Sequence, residues 1–150
     1  MSHVQIIVGS VLGASEYVAD AISERLEEES LSSSIHLQPE FTDIPQQGIW
    51  VICSSTHGAG ELPDNIQGFA ESLQSAALNG LPYVVFSLGD SSYDTFCQGG
   101  ATLDQLMKNA GAQSLAQPLE IDVLQHPIPE DFAIDWLSKH IDLFIDRRLS

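Results

Sequence analysis

Short apolar runs alternate with helical stripes along this chain, and that alternation restricts the fold more than any other property. Residues 4–8, 48–53 and 81–88 are near-continuous apolar runs of strand length. A strand buried on both faces reads this way, as in a parallel sheet covered by helices on each side. Weaker candidates at 34–38 and 118–124 follow the first and third of these runs. Between the runs, apolar residues return at helical spacing. Val18, Ala19, Ile22 and Leu26 form one stripe, and Ile66, Phe69 and Leu73 a second. Leu103, Leu106, Met107 and Ala110 form a third, and Trp136, Leu137, Ile141 and Phe144 a last one. Pro129, Glu130 and Asp131 stand at the start of that last helix, where proline and acidic residues are favoured. The order βαβαβαβαβα predicts an α/β fold: a doubly wound five-stranded parallel sheet with helices on both faces.

Ligands of such sheets bind beyond the carboxyl ends of the strands. After the first run comes Gly9-Ser10-Val11-Leu12-Gly13-Ala14-Ser15, a glycine and hydroxyl turn leading into a helix. Helix N-termini carry unsatisfied N–H groups and hold anions without side-chain cations. No lysine follows the turn, and before Lys108 the only Lys or Arg is Arg25. That favours a single phosphate monoester over a nucleoside triphosphate with its metal. The same turn also suits an ordinary helix start with Ser15 as N-cap. After the later runs come Ser54-Ser55-Thr56-His57-Gly58-Ala59-Gly60-Glu61-Leu62-Pro63-Asp64-Asn65 and Gly89-Asp90-Ser91-Ser92-Tyr93-Asp94-Thr95-Phe96-Cys97. These place His57 and Tyr93 on opposite sides of a flat ring. The ligand class that fits is a heteroaromatic ring with one phosphate tail, held by neutral groups.

Other chemistries lack their residues. The formal charge of −16 repels nucleic acid and anionic membranes. It attracts basic protein partners, or serves solubility alone. Cys53 and Cys97 make neither a disulfide framework nor a zinc site, and both read as small packing residues. Asp90 and Asp94 are too few for a calcium or magnesium site, and His3, His36, His126 and His140 read as solvated surface groups. There is no Gly-x-Ser-x-Gly elbow and no Gly-x-Gly-x-x-Gly fingerprint. A phosphoacceptor domain would carry acidic residues where Ser10, Ser54 and Ser55 stand. Length suits one domain over 1–150, and the chain shows neither a targeting segment nor a membrane-spanning run, so a soluble cytoplasmic protein is expected.

The segments Ser55 to Asn65 and Leu88 to Cys97 resemble the FMN loops of flavodoxins, especially the flavodoxin-like domains of cytochrome P450 reductase and sulfite reductase. The resemblance runs over essentially the whole chain. It implies a short-chain flavodoxin-like fold with strand order 2-1-3-4-5 and FMN as cofactor. Ser10, Val11, Leu12, Gly13, Ala14 and Ser15 would hold the phosphate; Leu12 stands where the family usually offers a third hydroxyl. Ser55, Thr56, His57, Gly58, Ala59 and Gly60 would border the ring on one side. Leu88, Gly89, Asp90, Tyr93, Phe96 and Cys97 would shape the other, with Tyr93 stacked outermost. Asp122 would approach the ribityl chain or ring edge. The implied role is a non-enzymatic electron carrier between a basic flavodoxin- or ferredoxin-type NADP reductase and an acceptor enzyme. The Gly58–Ala59 peptide is expected to turn its carbonyl towards flavin N5 on reduction, since glycine lets a peptide flip at little cost. Two alternatives stand beside the carrier: a flavin-dependent NAD(P)H quinone or nitro reductase, and a cofactor-free acidic interaction module.

Overall fold

The computed structural model describes residues 3–10 and 13–148. In chain order the elements are β1 (His3–Gly9), α1 (Ala14–Glu28), β2 (Ser32–His36), β3 (Ile49–Ser54), α2 (Asp64–Leu73), β4 (Pro82–Gly89), α3 (Gln98–Asn109), β5 (Gln113–Ser114), β6 (Leu119–Asp122), α4 (Pro129–Lys139) and α5 (Asp142–Arg148). Every strand pair is parallel, and β2, β1, β3 and β4 lie side by side in that order. The fifth position is shared: β5 pairs with the start of β4 at Pro82 and Tyr83, and β6 with its end at Phe86 to Gly89. Pro118 separates the two segments and has no N–H to continue a ladder.

Strand alternation sorts the side chains into two cores. Val4, Ile6 and Val8 with Ile49, Val51 and Cys53, and Val84, Phe86 and Leu88, pack beneath the α1 residues Val18, Ile22 and Leu26 and the α4 residues Ala133 and Leu137. Ile7, Trp50, Ile52, Tyr83 and Val85 face the other way, against Ile66, Phe69 and Leu73 of α2 and Leu103 and Met107 of α3. Near-complete burial of these side chains on both faces explains why the central strands show no polar alternation.

Three expectations change. The link from β2 to β3 holds only a 3₁₀ turn at Phe41–Asp43, not a helix. Pro39 and Pro45 bracket it, and the Pro45 carbonyl accepts the Trp50 Nε1–H at 2.9 Å. The last apolar stripe is divided between α4 and α5. His140 ends α4 because its backbone N–H and its ring Nδ1 both reach the Trp136 carbonyl, the ring at 2.8 Å. Nor are His3, His36, His126 and His140 solvated; each is half-buried. His3 bonds Ser32 and Ser34, His36 bonds Gln5, and the rings of His126 and His140 stack on Phe132 and Trp136. No described helix is long and apolar enough to cross a membrane.

Strand register levels the carboxyl edge. Gly9 pairs with Ser54, Ser54 with Ser87, and Gly89 with Asp122, so the loops after β1, β3, β4 and β6 emerge together.

Candidate functional site

The start of α1 presents backbone N–H groups next to the end of β1. Gly13 is the N-cap of α1, in the left-handed region at φ 91°, and no side chain caps the helix. Ser15 is therefore inside the first turn rather than at the N-cap. The Gly13 carbonyl accepts the N–H groups of Glu16 and Tyr17 at 3.0 and 3.2 Å. The N–H groups of Ala14 and Ser15 are left without an intrahelical acceptor. Ser15 is fully buried, and its Oγ lies 2.6 Å from the Ser55 Oγ. Ser10 Oγ accepts the Gly13 N–H at 2.9 Å, so only the Ser10 hydroxyl hydrogen remains to donate outward. Val11 and Leu12 lie outside the described residues.

Beside this turn a cleft of about 390 Å³ opens, lined by Ala14, Ser55, Thr56, His57, Gly58, Leu88, Gly89, Asp90, Tyr93, Thr95, Phe96, Cys97 and Val123. That volume suits a small aromatic ligand. One wall is the loop after β3. His57 and Glu61 exchange backbone bonds at 2.8 and 3.1 Å, and the Gly60 N–H returns to the His57 carbonyl at 2.8 Å, closing a tight turn. Gly58 lies at its tip with φ +24°, and an added Cβ there would meet nothing within 4 Å. The other wall is the loop after β4, where Tyr93 is 58% exposed. Asp90 accepts the Ser92 N–H at 2.8 Å and shapes that loop.

Thr95 joins the walls by donating its hydroxyl to the Gly58 carbonyl at 3.0 Å. Thr56 braces the floor: its Oγ1 accepts the Gly99 N–H at 3.0 Å and donates to the Leu88 carbonyl at 3.4 Å. Cys97 is buried, and its Sγ donates to the Ser87 carbonyl at 3.2 Å. Burial pushes its thiol up to about 11, which favours the protonated form at neutral pH.

Most of the expected residues converge here. Ser10, Gly13 and Ser15 do not line the cleft, Ala59 is exposed at the turn tip, and Gly60 packs against Thr95. Asp122 is buried under the rim and touches two loops, accepting the N–H groups of Ser91 and Leu124 at 3.3 and 3.0 Å. A hydrogen bond from the Ser91 side chain, joined by those of the backbone, holds its carboxyl below the usual range against the opposing effect of burial. Thr95 and Val123 line the cleft without having been expected, because only the folded loops bring them there.

No cluster among the described residues has the make-up of a metal site. The donor set is backbone N–H and hydroxyl, and among the described residues no Lys or Arg lines the cleft. Arg25 pairs with Glu28 and with Glu29 just past the end of α1, Lys108 with Asp104, and Lys139 with Asp135.

A flavodoxin-like sheet with its loops gathered at the carboxyl edge is the class that the geometry defines, and the sequence comparisons agree. The family model described as Flavodoxin matches residues 6–134, and the chain belongs to that family. It is 40% identical to the protein MioC of Escherichia coli K12 over 145 residues, covering 95% of this chain and 99% of that one. It is 35% identical to flavodoxin YqcA of the same organism, covering 93% and 96% of the two chains. A solved cysteine-to-serine variant of the Pseudomonas aeruginosa flavodoxin superposes with a TM-score of 0.87 at 32% identity, covering 95% and 98%.

Proposed function

We propose that this protein binds FMN at the carboxyl edge of its sheet and carries single electrons between proteins. One observation carries the reading. Helix N–H groups and a hydrogen-bonded pair of serine hydroxyls stand next to an apolar cleft edged by an exposed tyrosine. The residues fit that cofactor: a phosphate needs donors but no cation at a helix N-terminus, and a flat ring needs apolar walls. Bound FMN supplies one-electron redox chemistry, and the protein supplies position and electrostatics.

In this reading the 10–15 turn, with the N–H groups of Ala14 and Ser15, holds the phosphate. Ser55, Thr56, His57 and Gly58 border one side of the ring, with Ala59 and Gly60 completing their turn. Leu88, Gly89, Asp90, Tyr93, Phe96 and Cys97 border the other. Asp122 acts by holding the Ser91 loop in place. Thr95 restrains the Gly58 carbonyl, and the open space beside Gly58 lets its peptide rotate when that restraint is released. The charge of −16 raises the cost of adding electrons and draws basic surfaces of a reductase and an acceptor to the cleft.

Reconstituting the purified protein with FMN and titrating it electrochemically tests the carrier role. Two separate one-electron steps, without steady NADPH oxidation by the protein alone, are expected. Sustained NADPH turnover by the isolated protein would make it a reductase enzyme. Failure to retain FMN would leave the acidic interaction module.

A further inference from the structure

Asn65 stands in the first turn of α2, yet its side chain serves three other segments. Its amide oxygen accepts the Ser10 N–H at 3.0 Å. Its amide nitrogen donates to the Val8 carbonyl at 2.7 Å and to the Leu37 carbonyl at 2.9 Å. Val8 and Ser10 flank Gly9, where β1 ends, and Leu37 directly follows β2. One neutral carboxamide therefore ties the exits of two strands, and the first residue of the anion turn, to the start of α2. Its chemistry suits the task. The amide offers two N–H donors and one acceptor, whereas a hydroxyl has one hydrogen and a carboxylate none.

Packing beneath this link is close. A Cβ added to Gly9 would lie 2.6 Å from Ser54 Oγ and 2.9 Å from Ile66 Cγ2, so β1 leaves the sheet directly under the first turn of α2. The far end of the turn is fixed by the bond from Gly13 N–H to Ser10 Oγ. Asn65 thus sets where the turn begins, and Ser10 sets how it closes onto α1. Asn65 is not among the residues lining the cleft.

We propose that Asn65 is the positioning residue of the phosphate site. It fixes Ser10 in advance and, through the Ser10–Gly13 bond, the start of α1, so that the N–H groups of Ala14 and Ser15 and the Ser15–Ser55 hydroxyl pair converge on one phosphate. Without the carboxamide, the ligand itself must order the turn and loses affinity by that amount. The ring walls at 56–58 and 88–97 receive no bond from Asn65, so the loss is confined to the phosphate end.

This inference rests on the FMN reading, and comparing two flavins separates them. FMN and riboflavin share ring and ribityl chain, and only FMN carries the phosphate. The experiment is a fluorescence-quenching titration of the full-length protein, Asn65→Ala and Asn65→Asp with each flavin. Inorganic phosphate is a second probe, followed at the amide resonances of Ala14 and Ser15. Asn65→Ala is expected to weaken FMN about tenfold or more, the equivalent of one lost charge-assisted hydrogen bond, and riboflavin less than about twofold. Asn65→Asp keeps the shape and an acceptor for Ser10 but turns a carboxylate towards two carbonyls. It is expected to weaken FMN further, in a salt-dependent way. Phosphate is expected to shift both amides in the wild type, and in Asn65→Ala to need about tenfold more phosphate for the same shifts.

A wild type that binds neither FMN nor phosphate overturns the proposed function. If the wild type binds FMN, the role of Asn65 is overturned by a variant that keeps full FMN affinity. Equal losses of FMN and riboflavin overturn it too, as does an unchanged phosphate response.

Discussion

The two ends of the sheet both carry a concavity, and they differ in what their backbone has left to offer. The hollow at the amino ends, lined by residues including Gln46, Gln47, Gly48, Asn79 and Gly80, is the larger at about 460 Å³ against 390 Å³. Its loops are closed on one another. Leu78 N–H meets the Ala110 carbonyl at 2.7 Å, Gly80 N–H meets Gly111 at 2.9 Å, and Leu81 N–H returns to Leu78 at 2.9 Å. At the carboxyl end the Ala14 and Ser15 N–H groups have no intrahelical acceptor, and Tyr93 is exposed over an apolar cleft. The proposed site is the smaller of the two hollows, chosen for its uncommitted donors beside an uncovered aromatic ring rather than for its volume.

If the amino end serves stability and the carboxyl end binding, substitutions should separate the two. The largest effect is expected for Gly48→Ala. Gly48 has φ +69°, and an added Cβ would lie 1.9 Å from the His3 carbonyl oxygen. Backbone strain and overpacking together cost about 3–5 kcal/mol, seen as a melting temperature lower by roughly 10 °C. FMN affinity of the folded protein should not change; a specific loss of flavin would break the division between the ends.

Tyr93→Ala should do the reverse. Losing a stacked ring costs about 1–3 kcal/mol of binding, a fall in FMN affinity of roughly tenfold to a hundredfold by fluorescence titration. Stability should stay within about 0.5 kcal/mol, because the ring is exposed.

Thr95→Val sharpens the comparison within the carboxyl end. It removes the hydroxyl that holds the Gly58 carbonyl, worth about 1 kcal/mol, without emptying the cleft. The potential of the first one-electron step should rise by about 40 mV if that carbonyl moves on reduction. An unchanged potential would show that the restraint plays no part in tuning the flavin.

The smallest effect concerns His36, which does not line the cleft and ends edge strand β2. Burial, the largest cause, keeps its ring below the ordinary value of 6.5, with Asp43 opposing and His3 adding to it. The unfolded chain therefore takes up a proton here before the folded one does. The associated stability is present above 6.5 and is lost as pH falls through the lower folded value. Melting temperatures measured between pH 7 and 5 should decline less steeply in His36→Gln.

Legibility in the sequence followed the range of the interactions involved. The central strands are readable because burial on both faces leaves continuous apolar runs, and their predicted limits fall within a residue of β1, β3 and β4. Edge strand β2 is displaced from its predicted 34–38 to Ser32–His36. Its serines look like loop residues, yet Ser32 and Ser34 bond His3, and Ser33 bonds Ser23 at 2.6 Å. The two-residue β5 has too little pattern to read. At the site, Tyr93, His57 and the glycines are legible because each stands in a loop with no core to fill. Asn65 and Thr95 are not legible as organisers, since their partners Ser10 and Gly58 lie 55 and 37 residues away in sequence. Ser10 illustrates a subtler gap: a hydroxyl beside a glycine suggests a ligand, while the fold commits its acceptor side to the Gly13 N–H.

The most direct test is to add FMN to isotopically labelled protein and map the backbone amide shifts. One-to-one binding should perturb Ala14, Ser15, the turn at 56–60 and the loop at 89–97 most strongly, and leave residues 46–48 and 77–82 unmoved. Shifts centred on the amino-end hollow, or no retained flavin at all, would contradict the assignment of the carboxyl edge as the flavin site.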